Sequence, residues 1–132
     1  MTLAQIAELV GATPLCGEEM LCSLEIDSAF ASDLMSDVLA FCAPGAFLIT
    51  GLTNIQIVRT AQMLDIPAVL FVRGKSPLEE TISLARDADI PLILSGRNMF
   101  HTCGILYAAG IKPTSSSPEG GWNCAGAHSP GI

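Results

Sequence analysis

Three short apolar runs follow one another in the middle of the chain, and each ends in a polar, glycine-containing turn before a helix-patterned segment. The runs are Ala46–Thr50, Ala68–Val72 and Pro91–Ser95. Their ends, at 50, 72 and 95, leave room for one strand, one turn and one short helix per unit. Solid apolar runs are typical of strands that are buried on both faces. The pattern predicts neighbouring inner strands of a mostly parallel sheet, with helices packed on it.

Amphipathic segments and capping residues place five helices around these strands. The predicted spans are Thr2–Val10, Ser32–Phe41, Asn54–Leu64, Ser76–Ala88 and Asn98–Ala109. Ser76 is the strongest start signal, because a proline follows it at the first helical position and a glutamate at the third. Two further strands, Thr13–Cys16 and Leu24–Ala29, are predicted nearer the sheet edges. The sheet is therefore expected to have about five strands.

One tripeptide occurs twice, each time directly before a predicted inner strand. Asp65-Ile66-Pro67 and Asp89-Ile90-Pro91 have the same three residue types, 24 positions apart. We interpret the pair as one turn used twice, entering two adjacent parallel strands. Leu70, in the middle of its run, is then expected to have almost no exposed surface.

Length and composition limit the class of protein. The 132 residues predict one domain over residues 1–112, followed by a tail from Pro113 to Ile132 that is rich in Gly, Pro and Ser and is predicted to be disordered. No stretch reaches the roughly 18 uninterrupted apolar residues of a membrane span, and no export signal is present, so we expect a cytoplasmic protein. The net charge of −7 disfavours nucleic acids and anionic membranes as partners.

The cysteines and histidines predict neither disulfides nor a metal site. Five cysteines at wide spacings, with no C-x-x-C, indicate reduced thiols in a cytoplasmic or anaerobic setting. His101 and Cys103 would face apart on their predicted helix, and Cys124 and His128 lie in the predicted tail. No metal or other cofactor is expected.

Half of the six Lys and Arg residues lie in the turns that follow the inner strands. In parallel sheets, ligands bind outside the carboxyl ends of the strands. The predicted ligand-binding residues are Gly51, Thr53, Asn54, Arg73, Gly74, Lys75, Ser95 and Arg97. Cations would supply charge, and glycines, including Gly96, would let the backbone approach an anion. The alternatives are tight turns, helix caps and solvated charge.

Further polar residues have side chains that could carry chemistry. Ser32, Asp33, Ser36 and Asp37 could bind a cation or a ligand hydroxyl, or could simply cap a helix. Gly74-Lys75-Ser76 resembles the end of a phosphate-binding loop, but the first glycine of that motif is replaced by Val69, so ATP hydrolysis is not predicted. With no acid–base pair or nucleophile–histidine pair in the sequence, we do not expect an enzyme.

Three segments resemble the DRTGG domain family, which shares its fold with the amino-terminal domain of HPr kinase. They are AFASDLMSDVLA, LITGLTNIQIVRTAQMLDIPAVLFVRGK and MFHTCGILYAAG, and the resemblance extends from Gly11 to Ile111. It implies a three-layer α/β/α domain that usually dimerises and has a regulatory role. The family's Asp-Arg pair is replaced by Leu52-Thr53, and its Thr-Gly-Gly by Val72-Arg73-Gly74. Ligands of better-known members therefore do not carry over.

Two functions are expected from these observations. The first is a non-catalytic regulatory homodimer that binds a small anion or nucleotide at the carboxyl ends of the strands. The second is an interaction module without a ligand, which would dock through its acidic surface. Small stand-alone members of the family resemble companions of iron-only hydrogenases and electron-transfer enzymes in anaerobic bacteria, which implies a redox-enzyme partner for the second function.

Overall fold

The computed structural model describes residues 1–114, and within that range it contains five α-helices and six strands. The helices are α1 (Leu3–Val10), α2 (Met35–Phe41), α3 (Gln56–Met63), α4 (Glu79–Asp87) and α5 (Met99–Ala108). The strands are β1 (Thr13–Cys16), β2 (Ser28–Ala31), β3 (Phe47–Thr50), β4 (Val69–Phe71), β5 (Leu92–Leu94) and β6 (Lys112–Pro113). None of these helices is both long and apolar enough to cross a bilayer.

All six strands form one sheet in the order β1-β5-β4-β3-β2-β6. Only the β1–β5 pair is antiparallel, and the other four pairs are parallel. Leu70 pairs with Ile49 on one side and Ile93 on the other, and its side chain is fully buried. The predicted inner strands and the burial of Leu70 are therefore confirmed. The sixth strand was not predicted, because two residues are too few to show a periodic pattern.

Two apolar layers lie on opposite faces of the sheet. Leu48, Val69 and Phe71 pack against α2, α3 and α4. Phe47, Ile49 and Leu70 alternate with them and pack against α1 and α5. Successive strand residues point to opposite faces, so each inner strand contributes to both layers. The structure is thus the predicted three-layer α/β/α arrangement with a mostly parallel sheet.

The repeated Asp-Ile-Pro turn is one structure used twice. Asp65 and Asp89 have φ values of 54° and 58°, the left-handed conformation that often ends a helix. The amides of Ile66 and Ile90 each donate to a carbonyl five residues earlier, both at 2.9 Å. Each isoleucine side chain is buried and anchors the entry to the next strand. This sequence prediction is confirmed.

Two predicted helix starts are wrong, each by three residues. Helix α2 begins at Met35 and α4 at Glu79, not at Ser32 and Ser76. The Ser32 hydroxyl accepts from the Leu34 amide in the turn before α2. Buried Pro77 and the extended Leu78 backbone continue the turn before α4. In each case the chain needs extra residues to move from the end of a strand to the helical layer above it.

The other predicted starts fare better. Asn54 lies two residues before α3, and its side chain accepts from the Gln56 amide at 3.1 Å. Thr2 and Gln5 form the expected capping box on α1. Asn98 caps α5 by accepting from the His101 amide at 2.8 Å. These caps satisfy amides that have no partner within the helix.

The predicted strand at Leu24–Ala29 is misplaced. The strand begins at Ser28, and Ile26, although buried, lies before it. The Ile26 amide donates to the Met1 carbonyl, and Glu25 pairs with Thr2 in an isolated bridge. The alternation of apolar and polar residues therefore reflects a segment that pairs with the start of α1 and buries Ile26 in the layer shared by α1, α5 and the sheet.

Residues 113 and 114, which follow the predicted domain, contact the rest of the fold. Pro113 lies in β6, and Thr114 accepts from the Ala43 amide through its hydroxyl at 3.0 Å. The rest of the predicted tail, residues 115–132, lies outside the described residues.

We expect that removing residues 115–132 leaves the melting temperature nearly unchanged, because their composition cannot bury enough apolar surface to offset ordering. Ending the chain after Ile111 should lower it, because that also removes β6 and the Thr114 hydrogen bonds. Thermal unfolding of both truncated proteins tests this. A large drop on removing only residues 115–132 would show that the tail contributes to the core.

Candidate ligand site at the carboxyl edge

Four polar turns lie side by side at one edge of the sheet. They follow β2, β3, β4 and β5 and cover residues 32–34, 51–54, 72–76 and 95–98. Because these strands are adjacent and parallel, their carboxyl ends meet at the same edge. We call these four turns the carboxyl edge. All eight predicted ligand-binding residues lie in the last three of them.

The turns after β4 and β5 are joined by backbone hydrogen bonds. The Arg73 amide donates to the Arg97 carbonyl, and the Gly74 amide donates to the Ser95 carbonyl, both at 2.8 Å. Arg73 and Gly74 both have positive φ values, 65° and 67°. A Cβ atom added to Gly74 would lie 3.8 Å from the Gly96 Cα, so the two turns also pack together. We call this pair of turns, residues 72–76 and 95–98, the double turn.

Ser95 attaches the double turn to α1. Its side chain is buried, and its hydroxyl donates to the Val10 carbonyl at 2.7 Å. The same oxygen accepts from the Arg97 amide at 3.2 Å. Ser95, predicted as a ligand contact, therefore has both hydrogen-bonding roles filled within the protein and serves to position Arg97.

The Arg97 guanidinium lies over the carboxyl end of α1. A Cβ atom added to Gly11 would be 2.9 Å from Arg97 Nη1, so the glycine leaves room for this side chain. Gly11 ends the helix with a φ of 63°. A cation at a helix carboxyl terminus interacts favourably with the helix dipole. Arg97 is thus held in place while remaining partly exposed.

The Asp33 carboxylate already binds the Gly51 amide, which the sequence predicted as a contact for an anionic ligand. The Gly51 amide donates to Asp33 Oδ1 at 2.6 Å, and the Thr50 hydroxyl donates to the same oxygen at 3.4 Å. Arg73 Nη2 approaches the Gly51 carbonyl at 3.4 Å. A phosphate placed on the Gly51 amide would therefore displace a carboxylate. The sequence singles out Asp33 as a polar residue but does not predict its contact with Gly51. That contact depends on β2 lying beside β3, and the sequence alone does not give the strand order.

The remaining predicted residues differ in availability. The Asn54 side-chain oxygen accepts from the Gln56 amide at the start of α3, and Thr53 is half-buried in the same turn. Lys75 is exposed at the tip of the double turn. Within residues 1–114, the salt bridge present joins the Met1 ammonium to Glu25. In that range Arg73, Lys75 and Arg97 form no salt bridge with a carboxylate. Lys75 is therefore the most available of the three cations, because the Arg73 guanidinium contacts the Gly51 carbonyl beside Asp33 and the Arg97 guanidinium lies against Gly11.

Residues 1–114 contain four cysteines, of which Cys22 is exposed. Within this range, no three His, Cys, Asp or Glu side chains are grouped to hold a metal, and Cys124 and His128 lie outside it. Burial raises the pKa of the Cys16, Cys42 and Cys103 thiols above the usual value. These thiols therefore remain protonated at neutral pH and are poor nucleophiles.

We expect Asp33→Ala to lower the free energy of unfolding by about 1 kcal/mol, because the Gly51 amide and Thr50 hydroxyl lose their shared acceptor. Asp33→Asn keeps an oxygen at that position and should cost less. Urea denaturation of both variants measures the difference. Equal losses, or none, would show that the Asp33 contact does not stabilise the edge.

Comparisons with known proteins support the fold. No protein-family model matches the chain, and no curated protein matches it. The fold is similar to a solved structure of the CBS and DRTGG domains of the regulatory region of Clostridium perfringens pyrophosphatase, complexed with its activator diadenosine tetraphosphate. The TM-score is 0.65 at 16% sequence identity, over 86% of this chain and 51% of that structure. This chain thus spans about half the length of that structure.

Proposed function

We propose that the chain is a non-catalytic regulatory domain that binds a small anionic ligand of the nucleotide class at the double turn. The observation that carries the proposal is the placement of charge. The protein has a net charge of −7 and only six Lys and Arg residues, yet three of them lie on two joined turns. None of the three is paired with a carboxylate in residues 1–114.

The arrangement of the edge favours a nucleotide over a simple anion. Asp33, at the end of β2, offers a hydrogen-bond acceptor to hydroxyl groups, whereas the double turn offers cations. Neighbouring strands are about 4.8 Å apart, so β2 and β4 are separated by about 10 Å. The Arg73 guanidinium reaches back to Gly51, beside Asp33, so Lys75 and Arg97 are the cations at the far end of this span. A ligand with a sugar hydroxyl near Asp33 and a phosphate near Lys75 and Arg97 matches this arrangement.

The structural comparison supports the ligand class. The solved structure with the similar fold belongs to a regulatory region and contains a dinucleotide activator with four phosphates. Diadenosine tetraphosphate is therefore a reasonable first probe for this chain. Shorter nucleotides and pyrophosphate separate recognition of the nucleoside from recognition of phosphate alone.

Thermal unfolding of the whole chain with diadenosine tetraphosphate, ATP, AMP or pyrophosphate tests the proposal. A ligand present at roughly a hundred times its dissociation constant stabilises the folded state by about 2.7 kcal/mol. We expect stabilisation by at least one nucleotide, greater than that by pyrophosphate. No stabilisation by any of the four at millimolar concentration would count against a nucleotide site.

A second candidate is an interaction module that binds no small ligand. The internal hydrogen bonds favour it, because the Gly51 and Gly74 amides and the Ser95 hydroxyl are already engaged. The exposed cations would then only moderate an acidic surface that docks on a partner such as an electron-transfer enzyme. This candidate predicts no ligand-dependent change in stability, so the same thermal experiment distinguishes the two.

A further inference from the structure

One face of α5 is apolar, exposed and free of Asp, Glu, Lys and Arg. Its residues are Phe100, His101, Gly104, Tyr107 and Ala108, and we call them the α5 outer face. Phe100 is 89% exposed and Tyr107 is 67% exposed. Phe100 is the most exposed large hydrophobic residue in the described chain. Two exposed aromatic side chains on one helix indicate contact with something outside the domain.

Gly104 has no explanation within one copy of the chain. Glycine in a helix interior destabilises it relative to alanine. A Cβ atom added to Gly104 would meet no other atom within 4 Å, so the domain itself has ample space for a side chain there. The missing side chain would allow a second helix to approach α5 closely from outside.

The exposed positions of α5 are symmetric about Gly104. Positions 100 and 108 lie four residues to either side of it, and positions 101 and 107 lie three to either side. If a second α5 packs antiparallel across a two-fold axis at Gly104, Phe100 of one copy faces Ala108 of the other. His101 likewise faces Tyr107, and the two glycines meet at the axis. Large Phe100 thus faces small Ala108, and each of these contacts occurs twice, once on either side of the axis, as in a two-fold interface between identical surfaces.

We propose that the α5 outer face is the contact surface between two copies of this chain, with their α5 helices antiparallel. Charge favours this face as well. Two copies with a net charge of −7 each repel one another, and Met99–Ala108 contains no acidic residue. The proposal concerns assembly and is independent of the ligand site.

Sedimentation equilibrium of the full chain tests the contact. We expect a mass near twice 13.8 kDa for the wild type. Gly104→Glu should weaken the dimer at least a hundredfold, because each copy would place a charged side chain at the axis. Circular dichroism should show an intact fold, since the domain has space at that position. Met63→Glu is the matched control, because Met63 is 71% exposed on α3, and it should remain dimeric.

Other results would overturn the proposal. A dimer that survives Gly104→Glu uses another surface. A wild type that is monomeric at high concentration, but dimerises once residues 115–132 are removed, has this face covered by its own tail. A chain that is monomeric with and without those residues leaves the face to a different protein.

Discussion

Leu70→Ala should lower the free energy of unfolding by about 2–5 kcal/mol, a large part of the stability of a domain this size. Leu70 is fully buried at the centre of β4, between Ile49 and Ile93 on the flanking strands. It packs in the layer under α1 and α5, so truncation leaves a cavity far from solvent. Urea denaturation monitored by circular dichroism measures the loss.

Leu78→Ala is the matched control for Leu70→Ala. Leu78 is 71% exposed, and the same truncation there should change stability by less than about 0.5 kcal/mol. Similar small losses at both positions would contradict the central place given to β4 in the core.

Lys75→Glu should weaken the binding of a phosphate-containing ligand about tenfold at low salt. The substitution removes one exposed cation from the double turn and adds a like charge to the approach of the ligand. The effect should shrink as salt is added, because exposed charges are screened over about 10 Å at about 0.1 M ionic strength. Isothermal titration with the nucleotide that gives the largest thermal shift measures the change.

Lys112→Glu is the control, because Lys112 lies on β6 and pairs with Ser28 at the start of β2, away from the carboxyl edge. It changes the net charge by the same amount. If both substitutions weaken binding equally, the cause is the overall charge and not a site at the double turn.

The inner sheet was predictable from sequence because its signals are local. Solid apolar runs at Ala46–Thr50 and Ala68–Val72 leave no exposed face, so they can only be inner strands. The repeated Asp-Ile-Pro turn specifies its own structure, since a left-handed aspartate and a buried isoleucine suffice to define it.

The strand that was not predicted and the helix start that was misplaced both depend on contacts between residues distant in sequence. Strand β6 exists because Lys112 and Pro113 meet β2, more than 80 residues earlier in the chain. The true start of α4 depends on how far Pro77 and Leu78 must extend to reach the helical layer. Helix-capping residues in the sequence do not show how many residues the turn needs to cover that distance.

The position of the candidate site residues at one edge of the sheet was predictable from sequence, but their hydrogen bonds were not. Strand periodicity placed Gly51, Arg73 and Arg97 at one edge, as the structure shows. It could not show that the Gly51 amide donates to Asp33, because that requires knowing that β2 lies beside β3.

Amide chemical shifts of the full chain, titrated with diadenosine tetraphosphate at low salt, test the central claim most directly. If the nucleotide binds at the double turn, the largest changes will occur at residues 72–76 and 95–98, with smaller changes near Asp33. Lys75→Glu should reduce the changes at a given ligand concentration, and Lys112→Glu should not. Changes confined to other parts of the domain, or none at millimolar nucleotide, would contradict an anion site at the carboxyl edge.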